Sequence, residues 1–316
     1  MAYPESIVPN PSPSQRESPR LFYTDHCPLP LPAAHRFPIE KYRLLRELLE
    51  ADGGFRLEAA PLADVATIEL AHDPEYVRAF VEGRLGDAAM RRIGFPWSEG
   101  LVRRTLASVG STLAAAREAL ACGWGGTLAG GTHHAFRAEG SGYCVFNDIA
   151  VAIGWLRSER GVRRSAVVDL DVHQGDGTAE IFRDDGDVLT LSVHCKNNFP
   201  LRKQQSRIDV ELEAGTGDEA YLETLAGVLP KVLEFRPEII FYQSGVDGLA
   251  DDRLGKLSLT HAGLRERDRM VMEMARAASV PLVITLGGGY AEPIRLTVEA
   301  HANTFRVARE MMTQGK

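Results

Sequence analysis

From residue 165 onward, short apolar runs alternate with longer stretches in which apolar residues recur every three or four positions. AVVDL (166–170), VLTLSV (188–193), EIIFYQS (238–244) and PLVITL (281–286) read as strands buried on both faces, because their apolar character is continuous rather than alternating. Residues 219–233, 261–278 and 293–311 carry the helical period between and after them. Nearer the N-terminus, LFYTD (21–25) reads as a first strand. Residues 39–51 form a helix with Tyr42, Leu45, Leu48 and Leu49 on one face, closed by Gly53 and Gly54. Pro74 opens a short helix reaching Phe80. An Ala-rich helix spans 98–121 and closes at Gly123, and another spans 147–157, running on to Arg160. Strands of this kind separated by helices predict a three-layer α/β/α fold around a central, mainly parallel sheet. In such sheets, ligands bind outside the carboxyl ends of the strands. The residues just after each strand are therefore where chemistry is sought.

Composition narrows the classes without changing the picture. The chain has 316 residues, 44% of them hydrophobic, enough for a large core. A formal net charge of −7 argues against a broad nucleic-acid-binding face. No apolar run approaches the roughly 20 residues that cross a bilayer, and the N-terminus lacks a secretion pattern. Residues 1–20 are rich in Pro and Ser and read as a loose tail, and residues 21–316 as a single domain. Cys27, Cys122, Cys144 and Cys195 form no CxxC pair, so each reads as a buried structural thiol in a reducing, cytoplasmic setting.

The stretch AVVDLDVHQGDGT (166–178) raises the functional question. Side chains alternate along a strand, so Asp169, Asp171 and His173 share one side and Val168, Leu170 and Val172 the other. Buried charge of this kind needs partners or a metal. Other strand ends are loaded too. Asp247 follows EIIFYQS within GVDGLADDRLGKLSLT, and GGGY with Tyr290 follows PLVITL. His133 and His134 sit in GGTHHAFRAEGSGYCVFND, ahead of the helix at 147. Singly, each has a plainer reading: adjacent histidines are usually incidental, an Asp often caps a turn, and GGGY lacks the continuation of a nucleotide loop. Their meeting at one sheet edge is what points to a site.

This set of motifs resembles the zinc-dependent histone deacetylase family, with its polyamine deacetylase relatives, on the arginase/deacetylase-like fold; the class IV branch is closest in wording. The resemblance runs from about Leu21 to Asn303. It implies zinc held by Asp171, His173 and Asp247, with open positions for water and substrate. It implies His134 as the general base and acid, His133 as its electrostatic partner, Asp169 paired with His133, Asp176 paired with His134, and Tyr290 as oxyanion donor. Gly142, Tyr143 and Phe199 resemble walls of an acyl-lysine tunnel. A structural potassium ion is implied at main-chain oxygens of the Asp169, Asp171, His173 segment and near Val193, with Ser192. The implied function is hydrolysis of acetyl groups from lysine side chains of proteins or peptides, by one catalytic domain.

Two other readings stay open. An acetylpolyamine or other small-amide deacetylase would use the same residues behind an acidic entrance, for which Asp25, Glu99 or Asp251 are candidates. A catalytically silent acyl-lysine binding protein would not need the full set. An arginase-type two-manganese site would need more bridging carboxylates. Small residues around the histidines, Gly130, Gly131, Gly140 and Gly142, further suggest room for acyl chains longer than acetyl. The oligomeric state is not legible.

Overall fold

The computed structural model describes residues 20–312. The tail expected over residues 1–20 lies outside these described residues, except for Arg20, which is already the first residue of β1. The strands are β1 (Arg20–Tyr23), β2 (Arg56–Ala59), β3 (Trp124–Thr127), β4 (Ser165–Asp169), β5 (Val188–Cys195), β6 (Ile208–Leu212), β7 (Ile239–Gln243) and β8 (Leu282–Thr285). They form one eight-stranded sheet in the order β2-β1-β3-β8-β7-β4-β5-β6. Every pairing is parallel, so the sheet is wholly rather than mainly parallel.

The helices are α1 (Lys41–Asp52), α2 (Val65–Ile68), α3 (Pro74–Val81), α4 (Asp87–Ile93), α5 (Glu99–Cys122), α6 (Asp148–Arg160), α7 (Asp176–Ile181), α8 (Asp218–Glu234), α9 (His261–Ala278) and α10 (Arg295–Met312). Local chemistry sets their starts. Ser98 accepts from the Leu101 N–H, Asn147 from Ala150 and Thr260 from Gly263, each capping orphan donors of α5, α6 and α9. Gly53 ends α1 and Gly123 ends α5, as their positions in the sequence predict.

The continuous apolar strands split by parity into two cores. Ala166, Val168, Ile240, Tyr242, Leu282 and Ile284 pack with α1, α8, α9 and α10. Val167, Ile239, Phe241 and Val283 pack with α3, α5 and α6 on the opposite face. Burying one such Val, Ile or Leu contributes about 1.5–3 kcal/mol, and the sheet does so on both sides. This is the three-layer α/β/α arrangement. Among the described residues, no helix is long and apolar enough to cross a membrane. Cys27, Cys144 and Cys195 are buried, but Cys122 is exposed at the end of α5, so the buried reading fails for that thiol.

Candidate active site

Four central strands, β3, β8, β7 and β4, deliver the candidate residues to one edge. Register does the alignment: Asp169 pairs with Gln243 across β4 and β7, and Gln243 with Thr285 across β7 and β8. The chain continues from these ends into Asp171 and His173, into Asp247, and into Gly287–Tyr290. From β3 it runs into the loop carrying His133 and His134.

Asp171, His173 and Asp247 are buried, and one ligand-type atom from each lies within 4.8 Å of the others. His173 Nδ1 stands 3.1 Å from Asp171 Oδ1 and 3.1 Å from Asp247 Oδ2. The backbone holds the carboxylates: Val172 N–H donates to Asp247 Oδ1 at 2.9 Å and Gly288 N–H to Asp171 Oδ2 at 2.7 Å. Burial, and then the charge of Asp171, pushes Asp247 up to about 7. Burial pulls His173 down, but its bonds to Asp171 and Asp247 outweigh this and raise it to about 10. The cluster thus demands positive charge. Two carboxylate oxygens and one imidazole nitrogen suit a divalent ion such as zinc with open positions for water and substrate.

The histidines sit beside this cluster, with ring centroids 4.1 Å apart. His133 Nδ1 is 2.7 Å from Asp169 Oδ2, and His134 Nδ1 is 2.7 Å from Asp176 Oδ1. Each carboxylate fixes the proton on Nδ1 and leaves Nε2 for other work. The two rings diverge electrostatically. Burial opposes charge on His133, yet Asp169 and Asp171 raise it to about 9. Burial and the neighbouring His133 charge lower His134 to about 4, so it is neutral at pH 7 with a free lone pair. Asp169 also accepts the Asp171 N–H at 3.1 Å, which ties the two systems together.

The GGGY turn is explained by space. Gly287 has φ +84°, and a Cβ on Gly288 would lie 1.8 Å from Asp247 Oδ2. Only glycine lets this backbone pass over the carboxylates. Phe199 is 42% exposed, which puts it at the rim, and its ring is 4.9 Å from that of His134. A Cβ on Gly142 would meet both His134 and Phe199. Tyr143, next to Gly142, adopts φ +66°, a left-handed backbone that non-glycine residues rarely take and that clusters at functional sites. Its ring lies 5.0 Å from Phe37, 5.2 Å from Phe95 and 6.3 Å from Tyr290. Ser192 pairs in register with Asp169, and its Oγ is 2.9 Å from His194 Nδ1; Val193 follows on β5.

The other glycines of the histidine segment, like Gly142, have close neighbours where a Cβ would stand. A Cβ on Gly130 would meet Asp148, one on Gly131 would meet Gln243, and one on Gly140 would meet Cys144 O, all below 3 Å. These glycines permit close packing of the chain against itself.

Four supporting residues escaped the sequence reading. Asp148, fully buried, accepts the N–H groups of Gly131 and Thr132 at 2.9 and 2.8 Å and shapes the histidine loop. Gln243 donates to Gly131 O at 2.8 Å from the end of β7. Asp252 accepts the Tyr290 N–H at 2.6 Å. Lys41 is buried, reaches Gly289 O at 3.3 Å, and lies 5.0 Å from the Tyr290 ring centroid; burial lowers it to about 8. A signal for Lys41 was present: it stands one turn before Leu45 and two before Leu49 on the buried stripe of α1.

Residues 35–305 match the histone deacetylase domain. An uncharacterised protein of Picosynechococcus sp. is 46% identical over 297 residues, 93% of this chain and 99% of that one. A histone deacetylase-like amidohydrolase of Pseudomonas aeruginosa is 32% identical over 284 residues, 83% of this chain and 74% of its own. The crystal structure of the HDA15 HD domain superposes with a TM-score of 0.76 at 21% identity, over 91% of this chain and 90% of that one, and so shares the fold. With a domain match over residues 35–305 and a histone deacetylase-like amidohydrolase 32% identical over 74% of its own length, the chain belongs to the histone deacetylase domain family of hydrolases.

Proposed function

We propose that the protein is a zinc-dependent amidohydrolase that removes acetyl groups from lysine side chains of proteins or peptides. One observation carries this reading. A buried carboxylate–histidine–carboxylate triad lies beside two His–Asp pairs of opposite proton affinity. Asp171, His173 and Asp247 would hold the zinc. When bound there, the ion polarises the amide carbonyl and lowers the pKa of water. His134, neutral and held by Asp176, takes the attacking water's proton at Nε2 and returns it to the departing amine. His133, supported by Asp169, stays protonated and stabilises the negative charge that develops nearby. Tyr290 donates its hydroxyl to the oxyanion. Burial raises the Tyr290 pKa well above its usual value, which keeps that proton in place.

Gly142 and Phe199 would flank the lysine stem, and Tyr143 the inner end near Tyr290. A structural potassium ion would sit at main-chain oxygens of Asp169, Asp171, His173 and Val193 with Ser192. The single catalytic domain would run over residues 21–316, on the class IV side of the family by its GGTHHAFRAEGSGYCVFND wording, and act in the cytoplasm. The protein-lysine reading gains support from Asp25, one of the acids a polyamine entrance would use. It is bound by Arg46 Nε at 3.1 and 2.9 Å.

The test is hydrolysis of a fluorogenic acetyl-lysine peptide and of acetylated polyamines by purified protein, with chelator and with zinc restored. Chelator-sensitive peptide hydrolysis is expected. Cleavage of polyamines alone would transfer the reading to small amides, and cleavage of neither would leave a binding protein.

A further inference from the structure

Arg104 lies on α5, 7% exposed, and its Nη2 has no hydrogen-bond partner. Among the described residues, no carboxylate forms an ion pair with it. The carboxylate whose charge it feels most, Asp25, is bound by Arg46. What it has is Tyr42, which hydrogen-bonds the guanidinium and whose ring centroid is 4.3 Å from its Cζ. A ring face compensates only part of the cost of burying an unpaired cation. Buried guanidinium groups otherwise have anionic partners, and no side chain of the protein fills that role here.

Arg104 also lines a cavity of about 60 Å³, walled by Phe37, Phe95, Val145, Thr132 and Tyr143. This cavity adjoins the proposed acyl site. Thr132 directly precedes His133. The rings of Phe37 and Tyr143 are each 6.3 Å from the Tyr290 ring. The packed rings of Phe37 and Tyr143 thus stand between Tyr290 and this cavity, and an acyl chain that reached past Tyr290 would need to enter beside them. A cavity of this size has room for a small polar group such as a carboxylate. Its walls combine apolar side chains with the hydroxyl-bearing Thr105, Ser108 and Thr132 and the Arg104 guanidinium.

Building on the amidohydrolase reading, we infer that Arg104 is a carboxylate receptor and that the acyl site takes lysine acylated through a short dicarboxylic acid, of the succinyl or glutaryl class. The guanidinium receives the distal carboxylate through two parallel N–H bonds. Hydrolysis is the same reaction as for acetyl. The amide C–N bond breaks, water gives its hydroxyl to the acyl carbon and its proton to the lysine nitrogen, and the free diacid and the amine leave.

The experiment places acetyl, butyryl, pentanoyl, succinyl and glutaryl groups on the lysine of one peptide and compares kcat/KM for the full chain, Arg104→Met and Arg104→Lys. In the wild type, an acidic acyl group is expected to exceed the neutral group of equal length. Arg104→Met is expected to lower that acidic-to-neutral ratio by about 10- to 100-fold, the range for a hydrogen bond to a charged group, and Arg104→Lys to recover part of it. The ratio cancels any general loss from misfolding. Wild-type preference for neutral chains overturns the inference without any variant, as does a ratio unmoved by Arg104→Met. If Arg104→Met alters only inhibition by released acetate, the receptor serves product and the substrate assignment falls. Cleavage of acetyl but not acidic groups sinks this inference alone. If no acyl peptide is cleaved, the amidohydrolase reading fails. Fluorescence anisotropy of labelled succinyl- and butyryl-lysine peptides on wild type and Arg104→Met then decides the receptor: equal affinities overturn it, and tighter succinyl binding lost in the variant upholds it.

Discussion

Asp252 clamps Tyr290 from behind. Its Oδ2 accepts the Tyr290 backbone N–H at 2.6 Å while Oδ1 accepts those of Leu254 and Gly255 at 2.8 and 2.9 Å. A β-bridge between Asp252 and Ala291 adds to the joint. The loop that carries Asp247 is thus fastened to the turn that carries the proposed oxyanion donor. An amide at this position presents only one accepting oxygen. Asp252→Asn should therefore lose one set of bonds, each to a charged acceptor and worth about 1.5–3 kcal/mol. The expected result is lower kcat with KM and metal content near native, read by steady-state kinetics and elemental analysis. Native kcat would show that Lys41 and the glycine backbone hold the turn by themselves.

Tyr290→Phe removes the hydroxyl and leaves the ring packed on Phe37 and Tyr143. Loss of one oxyanion donor typically costs about 10²–10³-fold in rate. Turnover should fall by that range while peptide affinity and thermal stability hold. Near-native turnover would assign the oxyanion to another donor.

The sequence was most legible where the strands are buried on both faces. β4, β5, β7 and β8 lie within a residue or two of their apolar runs because no competing pattern blurs them. β3 was hidden by its own composition. It reads WGGT, and its glycines are required by close packing, since a Cβ on Gly125 would lie 2.1 Å from Ala115 O of α5. Strand glycines erase the apolar signal. The edge strands β2 and β6 were missed for the opposite reason: IDVEL alternates, with Asp209 and Glu211 exposed, and was not a continuous run. At the site, the ligand-type residues were legible because carboxylates and histidines stand out in apolar surroundings. Asp148, Asp252 and Arg104 were not, because each acts through backbone donors or a cavity that only the folded chain assembles.

The triad makes a direct prediction about metal. Asp247→Ala removes one atom of the proposed ligand set, leaves the Val172 N–H without its acceptor, and takes from His173 one of its two carboxylate partners. Elemental analysis of the purified variant should show loss of the equivalent of divalent metal carried by the wild type. A full equivalent together with intact hydrolysis would place the metal elsewhere.

His134→Ala separates proton transfer from metal binding. The His134 ring bonds Asp176 and is not among the triad's ligand-type groups. General acid–base groups contribute about 10²–10⁴-fold, so hydrolysis should fall by that range with metal content unchanged. Metal lost along with activity would make the histidine pair part of the metal centre.

His72 should make the fold acid-sensitive. It is buried between α2 and α3, its Nε2 accepts the Asn147 N–H at 2.8 Å, and its Nδ1 faces Arg137 O at 3.2 Å. Those bonds suit the neutral ring: Nδ1 donates and Nε2 accepts. Burial lowers the His72 pKa from 6.5 to about 4. Between these values the unfolded chain binds a proton that the folded chain refuses, so stability rises with pH across the window and is lost as pH falls from about 6.5 toward 4. A shift of that size corresponds to about 3 kcal/mol at most. His194, lowered to about 4, acts with the same sign, so the acid limb has more than one source. His72→Gln keeps an acceptor for the Asn147 N–H and removes the titration. Thermal melts from pH 7 to pH 4 should show Tm falling less steeply in His72→Gln than in the wild type. Parallel curves would mean that the His72 pocket opens to solvent before the proton matters.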